Sequence, residues 1–409
     1  MMRSMFSGVS GLRSHQTMMD VVGNNVANVN TPGYKASQVT FQETLTQTVR
    51  GAAPGSGVVG GTNPIQIGLG TQVSTVDGIF TQGTAQNTGR ATDVMIQGDG
   101  YFILGRGAER LYTRAGSFGF DRNGALVNGN GLAVMGWMPD PATGELNTTG
   151  AIQPIVVPAG QVIEPMATTE VSIGGNLSAD AEENDQVRTS VTVYDSLGTA
   201  HELVLTFTKT ANPGEWTVSG EIDGTSVIAP GATLQFNASG TLDSGSPLAV
   251  SYAPAGAAPL TISVDLEGAT PLQQFGGPSS PEAYAADGQA IGFLQGVSIG
   301  ADGTITAQFS NGMTRAVGII ATATFVNPGG LDRVGESTFA VSANSGAAVI
   351  GQPGAGDRGM LTPGALEMSN VDLAREFTNL IIAQRGFQAN SRIITASDEL
   401  LADLVNIRR

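Results

Sequence analysis

Apolar residues recur every seven positions at both ends of the chain. Met5, Leu12, Met19 and Val26 form the first series, and no proline precedes Pro32. A seven-residue spacing keeps side chains on one face of an α-helix, so residues 1–30 predict a helix with one apolar stripe. At the other end Leu366, Leu373, Leu380, Phe387, Ile394 and Leu401 repeat without a miss, with companions Phe377, Gln384, Ser391, Asp398 and Val405. Ser369 and Asn370 are placed to cap this second helix, and Asp372 to face the positive end of its dipole. From Ser369 to Asn406 it would run ~57 Å at 1.5 Å per residue. Its first seam is apolar and its second polar, whereas a free two-stranded coiled coil needs both apolar. Two readings follow: a helical hairpin closing a monomeric core, or a stripe kept for other copies of the chain.

The first helix is predicted to stop at Asn24-Asn25-Val26-Ala27-Asn28-Val29-Asn30-Thr31-Pro32-Gly33. There Pro32 disfavours the helical state of Thr31 and Gly33 supplies turn geometry. Residues 31–71, rich in Gly with Pro54 and Pro64, read as an extended connector. Beyond it the pattern changes to short alternating runs broken by Gly. Val94–Gln97 and Tyr101–Leu104 flank Gly98-Asp99-Gly100. Val191–Tyr194 and Glu202–Phe207 flank Asp195-Ser196-Leu197-Gly198. Val297–Ile299 and Thr304–Thr306 flank Asp302-Gly303. Many short strands with Gly turns imply antiparallel barrels or sandwiches.

Composition adds a boundary. Residues 166–287 hold 15 Asp or Glu against two cations, Arg188 and Lys209, so they carry −13 of the net −16. Such a surface repels copies of itself, so 166–287 is expected as an outward-facing inserted domain and the near-neutral remainder as the packed part. The predicted fold class is therefore α+β. Long terminal helices (1–30 and 367–409) accompany an inner β domain (72–165 and 288–366), into which an acidic outer β domain (166–287) is inserted. The junctions near 165 and 287 are candidate hinges.

Candidate chemistry is sparse. A net charge of −16 argues against nucleic acid or anionic lipid as partner. Lys35 and Lys209 are the only lysines, and neither sits in a phosphate-binding G-x-x-x-x-G-K-[ST] loop. Cysteine is absent, which excludes disulfides, thiolate metal sites and cysteine nucleophiles. No run of 18 apolar residues predicts a membrane span, and no apolar run after Met1 predicts a cleavable signal peptide. Asp121-x-Asn123-Gly124 lacks the further carboxylates of a calcium loop and reads as a turn. His15 is expected to pack on the first helix and His201 to face solvent. No catalytic residue, metal site or cofactor is expected, and nothing points to an enzyme.

Gly23 to Lys35 resembles the signature of the bacterial flagellar rod and hook protein family. Leu366-Glu367-Met368-Ser369-Asn370-Val371-Asp372-Leu373 and Gln384-Arg385-Gly386-Phe387-Gln388-Ala389-Asn390-Ser391 resemble its C-terminal signature. Asp93–Phe102 and Thr113-Arg114-Ala115-Gly116-Ser117-Phe118 also resemble this family. Tyr194-Asp195-Ser196-Leu197-Gly198, Ser310-Asn311-Gly312 and Phe325–Leu331 resemble its hook members in particular. The resemblance implies a structural subunit of a curved, hollow helical homopolymer, a universal joint between rod and filament used in motility. It implies export without a signal peptide through the flagellar type III apparatus to an extracellular location. It also implies the distal rod protein, the hook–filament junction protein and the hook cap as partners, with no nucleic acid and no membrane insertion. On this reading Met5, Leu12, Met19, Val26, Leu373, Phe377, Leu380, Phe387, Ile394 and Leu401 are the assembly residues. Asn24, Asn25, Asn28, Thr31, Pro32 and Gly33 form the motif turn. The alternatives are a distal rod protein of the same family, or an extracellular β-rich glycan-binding or glycan-active protein. The latter would need an aromatic cleft, in a chain with two Trp.

Overall fold

The computed structural model describes residues 2–55, 60–107, 109–140, 144–158, 160 and 162–406. Its helices are α1 (Met2–Ala27) and α2 (Leu373–Asn406), one at each chain end; most of what lies between is β-structure. Contacts divide the chain into two units. Unit 1 is Met1–Pro158, Val297–Thr306 and Ala316–Arg409; unit 2 is Ala159–Gly296 and Ala307–Arg315. Unit 2 is thus wider than the expected 166–287 insertion and includes a short second excursion at 307–315.

In unit 1 the two helices lie antiparallel. Ser4 Oγ meets Ser397 Oγ at 3.5 Å, and Gly8 faces Ile394, Gly11 faces Asn390, and His15 faces Gly386. Their approach is close because each of these pairs includes a glycine or serine. A Cβ on Gly11 would lie 2.6 Å from Asn390 Nδ2, and one on Gly386 2.5 Å from the His15 ring. α2 starts three residues after Asn370. Asp372, expected inside the first turn, is the cap: its Oδ1 accepts the amides of Ala374 (2.9 Å) and Arg375 (3.3 Å). Its 34 residues span ~51 Å.

The segment expected as an extended connector is extended but folded back on itself. Strands β1 (Ser37–Glu43) and β4 (Thr71–Gly78) pair antiparallel, as do β2 (Thr46–Arg50) and β3 (Ile65–Gly68). The ribbon packs against α1, where Ser10 Oγ accepts the Thr71 amide at 3.2 Å.

The rest of unit 1 is mainly an antiparallel sheet. Its central order is Thr314–Ile320, Ala133–Trp137, Tyr101–Arg106, Glu109–Thr113, Thr338–Ala340 and Asp332–Gly335. Phe102, Ile103, Leu104 and Leu111 are fully buried, and Phe325 stacks edge-on to Tyr101 and Tyr112 at 5.7 and 4.8 Å. The Asp121 turn is a backbone cap: Oδ1 accepts the amides of Asn123 (2.8 Å) and Ala125 (2.7 Å).

Unit 2 carries two sheets around one core. The first has the order Gln186–Tyr194, Ala200–Lys209, Glu215–Ile222, Thr233–Phe236 and Leu242–Ser244. The second has Leu248–Tyr252, Leu260–Asp265, Glu170–Ser178 and Leu272–Phe275, in which Glu170–Ser178 runs parallel to Leu260–Asp265 and Leu272–Phe275 and antiparallel to a further strand, Glu282–Ala286. Period-two alternation makes these strands. In Ala200–Lys209, Leu203, Leu205 and Phe207 point inward, against Trp216, Leu234, Ile262 and Val264 of the same core.

Candidate assembly surface

The motif turn after α1 is held from below. Asn25 is fully buried, and its side chain replaces a strand neighbour. Its Oδ1 accepts the Ser37 amide (2.9 Å) and the Tyr34 hydroxyl (3.2 Å), while Nδ2 donates to Ser37 O (2.8 Å). Asn28 Nδ2 donates back to Asn24 O (2.9 Å) and Oδ1 (2.7 Å), and Thr31 Oγ1 donates to Asn28 Oδ1 (3.1 Å). This closes the last turn where Pro32 forbids another. Gly33 has φ +69°, and a Cβ there would lie 2.5 Å from Ala115 N, so glycine is required twice over. Its amide donates to Glu367 O at 2.8 Å.

Here a feature unseen in the sequence appears. Lys35 and Glu367 are 2% and 1% exposed, and Lys35 Nζ donates to Glu367 Oε1 at 2.6 Å and to Thr81 O at 2.8 Å. Arg114, also buried, places Nη1 3.6 Å from Glu367 Oε2 and donates to Gly98 O at 2.8 Å. Burial pushes the Lys35 ammonium below its ordinary pKa, and the Glu367 carboxylate opposes that shift without cancelling it. Asn370 completes the junction: Oδ1 accepts the Ala36 amide (2.8 Å) and Nδ2 donates to Ile79 O (2.7 Å). This is why Asn370 does not cap α2. The segments around 33–37, 79–83, 113–116 and 366–370 thus meet in one buried polar knot. The only sequence signal was Lys35 itself, one of two lysines, placed straight after a turn.

Next to the knot the helices expose apolar surface. Of the expected stripe on α2, Leu373, Phe377 and Phe387 are exposed, Phe377 by 50%, while Leu380, Ile394 and Leu401 are half-buried. Ala383, Gly386, Asn390 and Ser397 form the small-residue side, with Gly386 and Asn390 against α1. Ile381, Ile382, Ile393 and Leu400, which the heptad reading passes over, are exposed as well. On α1, Met5, Leu12, Met19 and Val26 are half-buried, and Gly8, Gly11, Ser14, Val22 and Asn25 are the buried set. The position of Val405 lies outside the residues whose side chains are described. The ribbon adds Phe41, Leu45, Val49, Ile65 and Ile67, all exposed, Leu45 by 71%.

His15 packs as expected, its ring against Gly386 and 5.8 Å from Phe41. His201 does not face solvent: its side chain is 11% exposed, held between Asp195 and Asp223. Among the described residues no three His, Asp or Glu side chains gather as a metal site would, and no helix is long and apolar enough to cross a membrane.

Comparison with known proteins covers most of the chain. Residues 5–35 match a family described as flagella basal body rod protein, and 95–179 match the flagellar hook protein FlgE/F/G D1 domain. Residues 167–289 match the flagellar basal body protein FlaE D2 domain, and 362–407 the C-terminal family of flagellar basal body rod FlgEFG proteins. The flagellar hook protein FlgE of Treponema pallidum is 39% identical, with all of both chains covered. The flagellar basal-body rod protein FlgG of Bacillus subtilis is 32% identical, again over all of both chains. The crystal structure of Helicobacter pylori flagellar hook protein FlgE2 superposes with a TM-score of 0.52 at 16% identity, covering 69% of this chain and 99% of that one.

Proposed function

The chain belongs to the flagellar hook protein family and is a structural subunit of the bacterial flagellar hook; from that premise we propose that the outward faces of α2 and of the ribbon are the surfaces by which copies pack. A rod subunit fits no better than a hook subunit.

The observation that carries this reading is the apolar surface that α2 leaves uncovered on both flanks of its α1-facing side. Leu373, Phe377, Ile381, Ile382, Phe387, Ile393 and Leu400 stay exposed while smaller residues face α1. Exposed large apolar side chains gathered along one helix mark a protein–protein contact. Each Leu, Ile or Phe fully buried on association contributes roughly 1.5–3 kcal/mol, so half a dozen along one helix suffice to offset the entropy of immobilising a subunit. The ribbon has the same logic, since two strands alone are marginally stable in water and expose five large apolar side chains.

On this reading the knot sets the level of both surfaces, because it fixes where α1 ends and α2 begins. The chain acts outside the cell, exported through the type III apparatus, and has no catalytic role. Its partners are further copies of itself, the distal rod protein at one end, the hook–filament junction protein at the other, and the cap during growth.

Phe377→Glu and Ile382→Glu test the proposal. Both positions are exposed in the single chain, so each variant is expected to fold with unchanged melting of unit 2 and to lose tube formation in electron microscopy. Variants that form tubes at wild-type concentration would remove α2 from the interface.

A further inference from the structure

The turn Tyr194-Asp195-Ser196-Leu197-Gly198 has a local role that assembly does not explain. We propose that Asp195, His201 and Asp223 form a proton-operated clasp, through which unit 2 fastens the segments where its chain enters and leaves.

The geometry has two linked parts. In the first, His201 on strand Ala200–Lys209 sets Nδ1 2.6 Å from Asp223 Oδ2 and Nε2 3.4 Å from Asp195 Oδ2. Tyr252, from strand Leu248–Tyr252, donates its hydroxyl to Asp223 Oδ2 at 3.2 Å and stands edge-on to the imidazole at 5.3 Å. The ionisable groups that face this ring, from the turn before its strand, the turn at 223 and the strand at 252, are thus two carboxylates and one phenol. A neutral imidazole has one N–H, so one carboxylate would face a bare nitrogen lone pair. Only the imidazolium donates to both.

In the second part, the same turn holds the entry and exit segments. Asp195 Oδ1 accepts the amides of Leu197 (2.9 Å) and Thr199 (2.8 Å), closing the turn. Tyr194 and the fully buried Thr168 exchange two hydrogen bonds, at 2.8 and 2.9 Å. A Cβ on Gly198 would lie 2.7 Å from Pro165 and 3.2 Å from Ile291 N, so the turn lies directly on both segments. Met166 and Gln289 then tie entry to exit by two backbone hydrogen bonds of 3.0 and 2.9 Å. Loss of the proton leaves Asp195 without its charged partner and slackens the turn that bears on these segments.

The pH sense follows from the groups. Burial lowers the His201 pKa, but the hydrogen bonds to Asp223 and Asp195 more than reverse this and leave it above 6.5. Its contribution is complete below pH 6.5 and lost as the pH rises through the raised value. Burial raises Asp195, but the Thr199 and Leu197 amides and His201 bring it below 3.8. Asp223 is lowered chiefly by its bond to His201. Their contribution is present above 3.8 and lost as the pH falls through the lowered values. The clasp is therefore fastened in mildly acidic solution and loosens towards alkaline pH.

The test uses dilute, nitrogen-15-labelled full-length chain, so it does not depend on the assembly reading. The chain has two histidines, and His201→Gln assigns the second imidazole titration. His201 is expected to keep both ring protons above pH 6.5. Amide protection at Thr168, Leu197, Thr199 and Gln289, corrected for intrinsic exchange, should fall between pH 5.5 and 8.5 by about tenfold per unit of His201 pKa elevation. Asp223→Asn keeps the turn, since Asn-Gly suits it as well as Asp-Gly. That variant should bring the titration down towards 6.5 and flatten the protection profile. His201 titrating at or below 6.5, or a wild-type profile equal to that of Asp223→Asn, overturns the clasp.

Discussion

Glu367 carries a burden out of proportion to its size. It is the carboxylate between two buried cations, Lys35 and Arg114, and it also accepts the Gly83 amide at 2.9 Å. Its pair with Lys35 joins residues 332 apart in sequence. Removing one partner of such a pair strands the other in a medium that cannot solvate it, at a cost of about 3–5 kcal/mol. Glu367→Gln is therefore expected to lower unfolding stability of unit 1 by that much in a urea titration. Replacing all three charges, Lys35→Met and Arg114→Met with Glu367→Leu, should recover part of it, because apolar side chains of similar volume need no partner. At this scale the sequence was legible where a residue acts on near neighbours. Asp121 and Asp195 cap their own turns, and Pro32 with Gly33 ends α1. It was not legible where the partner lies across the chain, since nothing local distinguishes a buried Lys from a solvated one.

At the scale of elements, the helix pair rests on what is missing. Gly8 and Gly11 on α1 and Gly386 on α2 let the backbones approach until Ser4 and Ser397 touch. Gly11→Leu weighs two effects. A better helix former adds up to about 1 kcal/mol, whereas overpacking a tight contact costs typically 1–3 kcal/mol. With Asn390 already 2.6 Å from the added Cβ, the second effect wins. Amide exchange at Ser14 and Ala383 should quicken while that at Leu205 in unit 2 stays unchanged; equal exchange in variant and wild type would show that the contact can yield. Both helices and the alternating strands were readable because their periods are long and regular. The face of α2 that meets α1 was less readable. Two stripes compete on that helix, and a heptad count weighs large apolar residues, whereas close antiparallel packing selects small ones. The ribbon was not readable because its strands are rich in Thr and Gln, alternate weakly, and pair with partners far along the chain, Ser37 with Gly78 and Glu43 with Thr71.

For the whole molecule, charge is segregated. Residues 166–287 carry −13, while the helices, ribbon and inner sheet are close to neutral. If copies pack through the neutral parts, the acidic surfaces repel one another at every repeat, and salt screens that repulsion over about 10 Å at 0.1 M. Raising ionic strength from about 0.01 to 0.1 M should lower the protein concentration needed for tube formation, measured by sedimentation; an unchanged threshold would mean that the acidic regions stand too far apart to interact.

The knot that seals residue 35 to residue 367 has one more outcome. The inner ends of both terminal helical segments are clamped at a single place, and the chain between Lys35 and Glu367 is a closed loop, like keys on a ring. Length can be added to or taken from that loop without asking the two helices to find a new register.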